Sequence, residues 1–259
     1  YYEIFKPGYA FTSYNPSPYV YTLERNEAKI KMMVEMLRDY VLEPYFRKDY
    51  EPGFRGKYGP YAFLLVDTLI RSKNADTLVR DLGVLALSTR YTMTRGTKNF
   101  IPVDQMTEEE KVQYGWRLAM SELKFFFEKT YEDDFLAYRD ITKESPDLDG
   151  YPHDLFEIAE KPKSYNYRQS ATNNGILEYN FELDNPRKYG VLRFWKVDNS
   201  NVHFPSTLTD LSDFTKMIYT KTDAEIRAEH GEFPMIIKRY EALLNLLKKS
   251  GLTQFIKEQ

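Results

Sequence analysis

The chain has 259 residues, 42% hydrophobic and 29% charged, with 36 basic against 39 acidic side chains for a net charge of −3. That mix can bury a sizeable core in one or two domains, and its charge excludes a general nucleic-acid binder, whose phosphate contacts need a strong basic excess. Cysteine is absent, so disulfides, thiolate zinc sites, iron–sulfur clusters and cysteine nucleophiles are excluded together.

Residues 1–21, YYEIFKPGYAFTSYNPSPYVY, show neither helical nor strand periodicity. Their rings are Tyr1, Tyr2, Phe5, Tyr9, Phe11, Tyr14, Tyr19 and Tyr21. Pro16 and Pro18 favour extended backbone, so the segment reads as an arm that docks across this chain's surface or onto another subunit. Tyrosine suits both, having an apolar body and a polar tip. The chain begins at Tyr1 rather than Met, which reads as a removed presequence or a fragment boundary. Asn15 comes nearest to a glycosylation acceptor and is spoiled by Pro16. The longest apolar run, YAFLLV at 61–66, falls far short of the roughly 18–20 residues a spanning helix needs.

Thr22 is a candidate N-cap for a helix with Ile30, Met33, Val34, Leu37 and Val41 on one face, which Pro44 should end or kink. Helices are then expected from Tyr61 to about Arg71 and from Asn74 or Asp76 through Leu78, Leu82, Leu85 and Ala86, followed by a loop over 92–104. Thr107 and Glu110 form a capping box, behind which Val112, Trp116, Ala119, Leu123 and Phe126 repeat at helical spacing. The three adjacent rings of KFFFE, 124–128, cannot all face one core, so one is exposed or meets a neighbour. The chain turns acidic over 132–160. ILEYNFEL at 176–183 alternates, and YGVLRFWKV at 189–197 is rich in β-branched and aromatic residues; with the Asn-Pro turn between them they predict a β-hairpin. A second capping box, Thr222 with Glu225, opens a short helix ended by Gly231. Pro234 then starts an amphipathic stripe of Ile236, Ile237, Tyr240, Leu243, Leu244 and Leu247, stopped by Gly251 with Leu252 placed to touch Leu247. The fold class expected is predominantly α (α+β). An arm at 1–21 precedes a helical region at 22–145, an acidic loop plus hairpin at 146–205 and C-terminal helices at 206–259, with one compact domain from 22 onward.

The nearest thing to a chemical motif is EPGFRGKYGP, 51–60. A phosphate-binding P-loop needs G-x-x-x-x-G-K-[ST]. Here Glu51 stands for the first Gly and Tyr58 for the Ser or Thr, and no apolar strand precedes it. What remains is a basic, aromatic turn. Arg47, Lys48, Arg55 and Lys57, with Arg90, Arg95 and Lys98 of a second loop, are candidate contacts for an anion such as a lipid headgroup. SPDLDGYPHD at 145–154 matches three calcium-loop positions in Asp147, Asp149 and Gly150, but Phe156 stands where the bidentate Glu belongs. His153, His203 and His230 form no metal motif, and neither a nucleophile-elbow nor a dinucleotide fingerprint occurs. No catalytic residue, metal ligand or cofactor is assigned.

The function expected is a non-catalytic subunit of a larger assembly, of the mitochondrial inner-membrane type, whose partners are other protein subunits. The arm, the triple Phe and a hairpin in need of a platform motivate it. The competing readings are a helical enzyme or small-ligand protein whose site forms only in three dimensions, and a peripheral binder of anionic lipid.

Overall fold

The computed structural model describes residues 19–47, 62–71, 74–75, 78–81, 84–95, 99–144, 185–193, 195–196, 202–203 and 205–257. The fold is predominantly α with a smaller β part (α+β). The chain divides into two compact units, Tyr1–Glu122 and Leu123–Gln259, and the boundary falls inside one long helix.

In the first unit, strand β1 (Tyr19–Leu23) pairs antiparallel with β2 (Ala62–Arg71). The path continues to β5 (Val84–Ser88), parallel to β2, and ends on β4 (Leu78–Asp81); the short β3 (Asn74–Ala75) pairs with β2. The helices expected at 61–71 and 74–86 are therefore strands. Val66 and Leu69 are 0% exposed and Ala86 is buried beside them. Residues 61–66 read as a continuous apolar run rather than an alternation, and periodicity alone cannot tell such a run from a buried helix segment. Strand β4 pairs antiparallel with β5, Leu78 opposite Leu87 and Asp81 opposite Val84, a pairing that helical spacing hides. The expected loop at 92–104 contains a second pair, β6 (Met93–Arg95) with β7 (Asn99–Ile101), and a 3-10 turn at Val103–Gln105.

Helix α1 (Glu27–Leu37) is capped by Asn26, whose side chain accepts from the Ala28 and Lys29 N–H groups. Thr22, the cap expected from sequence, lies in β1 instead. Sheet pairing already engages that backbone, and Asn26 supplies a better acceptor four residues on. The helix runs on through a π-helical turn, Arg38–Leu42, and one last α turn, Glu43–Tyr45. Pro44, expected as a breaker, sits in that closing turn. Met33, Met36, Leu37, Val41, Tyr45 and Phe46 are buried, while Val34, expected on the inner face, is 52% exposed.

Helix α2 (Glu108–Thr130) starts at the expected capping box. The Thr107 N–H donates to Glu110 Oε2 at 2.9 Å and the Glu110 N–H to Thr107 Oγ1 at 3.3 Å. Where α2 passes the π turn it carries Gly115. A Cβ there would lie 2.8 Å from the Tyr40 carbonyl carbon and 2.9 Å from Tyr40 Cβ, with the carbonyl oxygen closer still. Tyr40 lies along α2: its phenol donates to Glu108, and Lys111 Nζ stands 5.9 Å from its ring centroid.

In the second unit, α2 ends in Phe126 and Phe127, both buried, with Phe125 half-buried beside them. The acidic stretch begins with a helix, α3 (Glu132–Asp140), inside the region expected to be helical. Ring contacts run from Phe127 to Phe135 (5.7 Å), to Tyr138 (6.0 Å) and to Phe214 (5.8 Å). Of the hairpin expected near 176–197, residues 176–184 lie outside the described residues. Pro186–Tyr189 form a 3-10 turn capped by the Asn185 side chain and closed by Gly190 at φ 75°, a left-handed value that favours glycine. The antiparallel pair lies further on, β8 (Trp195–Lys196) with β9 (Val202–His203). Helix α4 (Thr207–Thr220) is capped by Ser206. Helix α5 (Asp223–His230) has the full Thr222–Glu225 capping box. Helix α6 (Pro234–Lys249) buries Ile236, Tyr240, Leu243, Leu246 and Leu247. It stops as expected: the Leu252 N–H reaches Leu247 O at 2.9 Å and the Gly251 N–H reaches Lys248 O at 3.1 Å.

Candidate functional site

The sequence-level candidates are dispersed. Tyr1, Tyr2, Phe5, Tyr9, Phe11 and Tyr14 of the arm lie outside the described residues, as do Lys48, Arg55, Lys57 and Lys98. Tyr19 opens β1, and Tyr21 packs in the same strand against the sheet core of Val66, Leu69 and Ala86. Arg47 is exposed. Arg90 ends beside Asp67, with 3.8 Å between Nη1 and Oδ2, so the acid that sequence proximity failed to supply comes from β2. Arg95 ends β6. The described rings are mostly absorbed by the chain itself: Tyr45, Phe46, Tyr114, Phe126, Phe127, Phe135, Tyr138, Tyr189, Phe214, Tyr240 and Phe255 are all buried, whereas Tyr219 is 43% exposed.

The most concentrated polar chemistry is in the second unit, and sequence reading missed it. Arg239 (0% exposed) and Asp210 (1%) form an ion pair inside the apolar faces of α6 and α4. Arg239 Nη2 donates to Asp210 Oδ2 at 2.5 Å and Nη1 to Oδ1 at 2.9 Å, a two-pronged pairing that only a guanidinium can make. Nη1 also donates to the Gly190 carbonyl at 2.7 Å, and Nε to the Tyr138 carbonyl at 3.3 Å. The Tyr138 hydroxyl donates to Asp210 Oδ2 at 2.7 Å. The guanidinium carbon lies 4.3 Å from the Tyr138 ring centroid and 4.6 Å from that of Phe214, within cation–π range. Burial, ahead of the neighbouring Asp210 charge, pushes the Tyr138 phenol well above its ordinary pKa, so it stays a donor. One side chain thus ties together α3, α4, α6 and the Gly190 turn. The detectable signal was a charge inside each apolar stripe: Asp210 beside Leu211 and Phe214, and Arg239 between Ile236 and Tyr240. A residue of that type at that position is buried only when paired.

A second polar cluster gathers around Glu229 of α5. Lys221 Nζ donates to its carboxylate, Arg187 Nη2 lies 3.8 Å away and His230 Nε2 3.5 Å away. The hydrogen bond from Lys221 holds Glu229 below the usual carboxylate range. Arg193 is paired with Asp213 at 2.6 Å; burial raises the Asp213 pKa, and the Arg193 charge opposes the rise. Among the described residues no three His, Asp or Glu side chains converge as a metal would need, and no helix is long and apolar enough to cross a membrane. Comparison with protein families, curated proteins and solved structures gave no match.

Proposed function

We propose that the chain is a non-catalytic subunit of a larger protein assembly and works through protein–protein contacts. The observation that carries this reading is β1. It lies at the end of the sheet path and pairs with β2 on one side, with no strand on the other among the described residues. It ends at Leu23, which is 49% exposed, and it follows directly on the aromatic segment 1–18. An edge strand offers a row of backbone donors and acceptors to an extended segment of a partner, and flanking apolar side chains give that pairing its area. The buried Arg239 centre supports the same reading, because its donors are spent on holding elements together. The test is light scattering coupled to size exclusion, on the full chain, on a chain lacking residues 1–21 and on Leu23→Lys. Association that both changes diminish is the expected outcome. A soluble monomer whose behaviour neither change alters would count against a subunit role.

A further inference from the structure

We propose that His230 is an acid-operated latch: a proton on its buried ring releases the last turn of α5 and the Gly231–Phe233 turn from the 3-10 turn at 186–189 and from the end of α4. His230 is 3% exposed and is the last residue of α5. Its carbonyl accepts the Phe233 N–H at 2.9 Å, so the residue stands at the corner between α5 and α6. Its Nδ1 is buried and has no hydrogen-bond partner among the described residues. Its Nε2, 3.5 Å from Glu229 Oε1, is at a distance long for a hydrogen bond.

The neighbours make the neutral ring the one that fits. Glu229 is already engaged by Lys221 from the end of α4 and by Arg187 from the 3-10 turn, and the Arg187 guanidinium also lies 5.6 Å from the Phe233 ring centroid. On α6, the charges meeting α5 are used elsewhere, with Tyr240 on Asp223 and Glu241 on Arg227. A charged His230 would bury an Nδ1–H with no acceptor and add a third cation beside Arg187 and Lys221, against the single carboxylate of Glu229. Burial, chiefly, holds the pKa of His230 below its ordinary value of 6.5. Once the corner opens, the ring returns to water and to that ordinary value. The open form therefore takes up the proton first, and acid shifts the balance toward it. Between pH 7.5 and pH 5.0 the shift has a ceiling of about 30-fold, reached if the seated ring never protonates.

Amide hydrogen exchange on the full chain, corrected for intrinsic rates at pH 7.5 and 5.0, tests the latch against His230→Phe, which keeps a ring and cannot titrate. Protection over 226–233 should fall about 5- to 30-fold at pH 5.0 in the wild type, while protection over 240–247 holds. The variant should keep its protection at both values. Wild-type protection that ignores pH would overturn the proposal, as would a variant that loses protection in step with the wild type, since the proton would then sit on another group. Should the variant fail to fold, the His230 imidazole is followed by NMR in the wild type. A midpoint below that of free imidazole, coincident with the loss of protection, supports the latch; a midpoint at or above it overturns the latch.

Discussion

Replacing Arg239 by Met removes the cation at the centre of the second unit and leaves a side chain of similar length. Asp210, 1% exposed, would keep only the Tyr138 hydroxyl at 2.7 Å among its described donors. Breaking a buried pair in this way costs about 3–5 kcal/mol. The change also strips a donor from the Gly190 and Tyr138 carbonyls, at roughly 1–3 kcal/mol for each buried acceptor that finds no substitute. The double variant Arg239→Met/Asp210→Leu separates the two contributions. It removes the uncompensated charge, which for a simple ion pair would return the protein to near wild-type stability. Here two carbonyls and a phenol remain without their partners, so the double variant should stay about 1–3 kcal/mol below wild type. Urea unfolding followed by far-UV circular dichroism reads both. With a slope of about 1–3 kcal/mol per molar, the single variant should lower the midpoint of the transition by at least about 1 M. A single variant within 1 kcal/mol of wild type, by the approximate scale above, would refute the buried network. A double variant at or above wild-type stability would refute the role given to the carbonyl contacts.

Three further outcomes follow from local geometry. Gly115→Ala drives a methyl group into the Tyr40 main chain, so it should destabilise the first unit by about 1–3 kcal/mol, or more if the π turn cannot shift; thermal unfolding checks this against an Ala→Gly control elsewhere on α2. Thr222→Ala removes the acceptor for the Glu225 N–H and should cost about 1 kcal/mol of stability, seen as faster hydrogen exchange over the first turn of α5. Hydrogen bonds from Thr222, first from its main chain and then from its hydroxyl, together with Lys257, hold the Glu225 pKa at about 2, against 4.5 for the free group. A depressed carboxylate contributes stability that is full above the unfolded value and lost as pH falls toward the folded one. Helix α5 should therefore weaken between pH 4.5 and about 2, and Glu225→Gln should flatten that part of the acid profile; an unchanged profile would remove Glu225 from the account.

What the sequence made legible is what neighbours in the chain decide. Both capping boxes and the Gly251 stop depend on residues three to five positions apart, so their chemistry is complete within one turn. Strands β2 and β5 could not be told from helices because their partners lie outside any local window. Val66 is apolar on account of a neighbour in β5 that follows some twenty positions later, and no periodicity records that. Helices α3 and α4 fall inside the stretches expected to be helical, 22–145 and 206–259, but nothing local delimits α3, because Glu132, Asp133 and Asp134, which favour a helix start electrostatically, read as a solvated acidic run. The Arg239 centre needs Tyr138, Gly190, Asp210 and Arg239 at once, and only the folded backbone assembles them. Local pattern could flag a charge in an apolar stripe but not its counterpart. The described rings pack within each unit, Tyr45 on Trp116 and Tyr91 on Phe100 in the first and Phe127, Phe135, Tyr138 and Phe214 in the second, and the contacts of Tyr45 with Trp116 and of Tyr138 with Phe214 too join residues that no local window holds together.

The widened turn at Arg38–Leu42 holds one residue more than regular winding would place there. Each residue of an α-helix turns the chain by about 100°, so the extra one swings everything after it by that angle. This is how Tyr45 comes to share the inner side with Met33, Leu37 and Val41, although a count of four at every step drifts around a regular α-helix. Excising a single residue from this stretch would rewind it smoothly and yet turn Tyr45 away from the inner side. The segment tolerates substitution far better than it tolerates a change of length, and a homologous chain one residue shorter here would have to have rebuilt the helix facing it, beginning with Gly115.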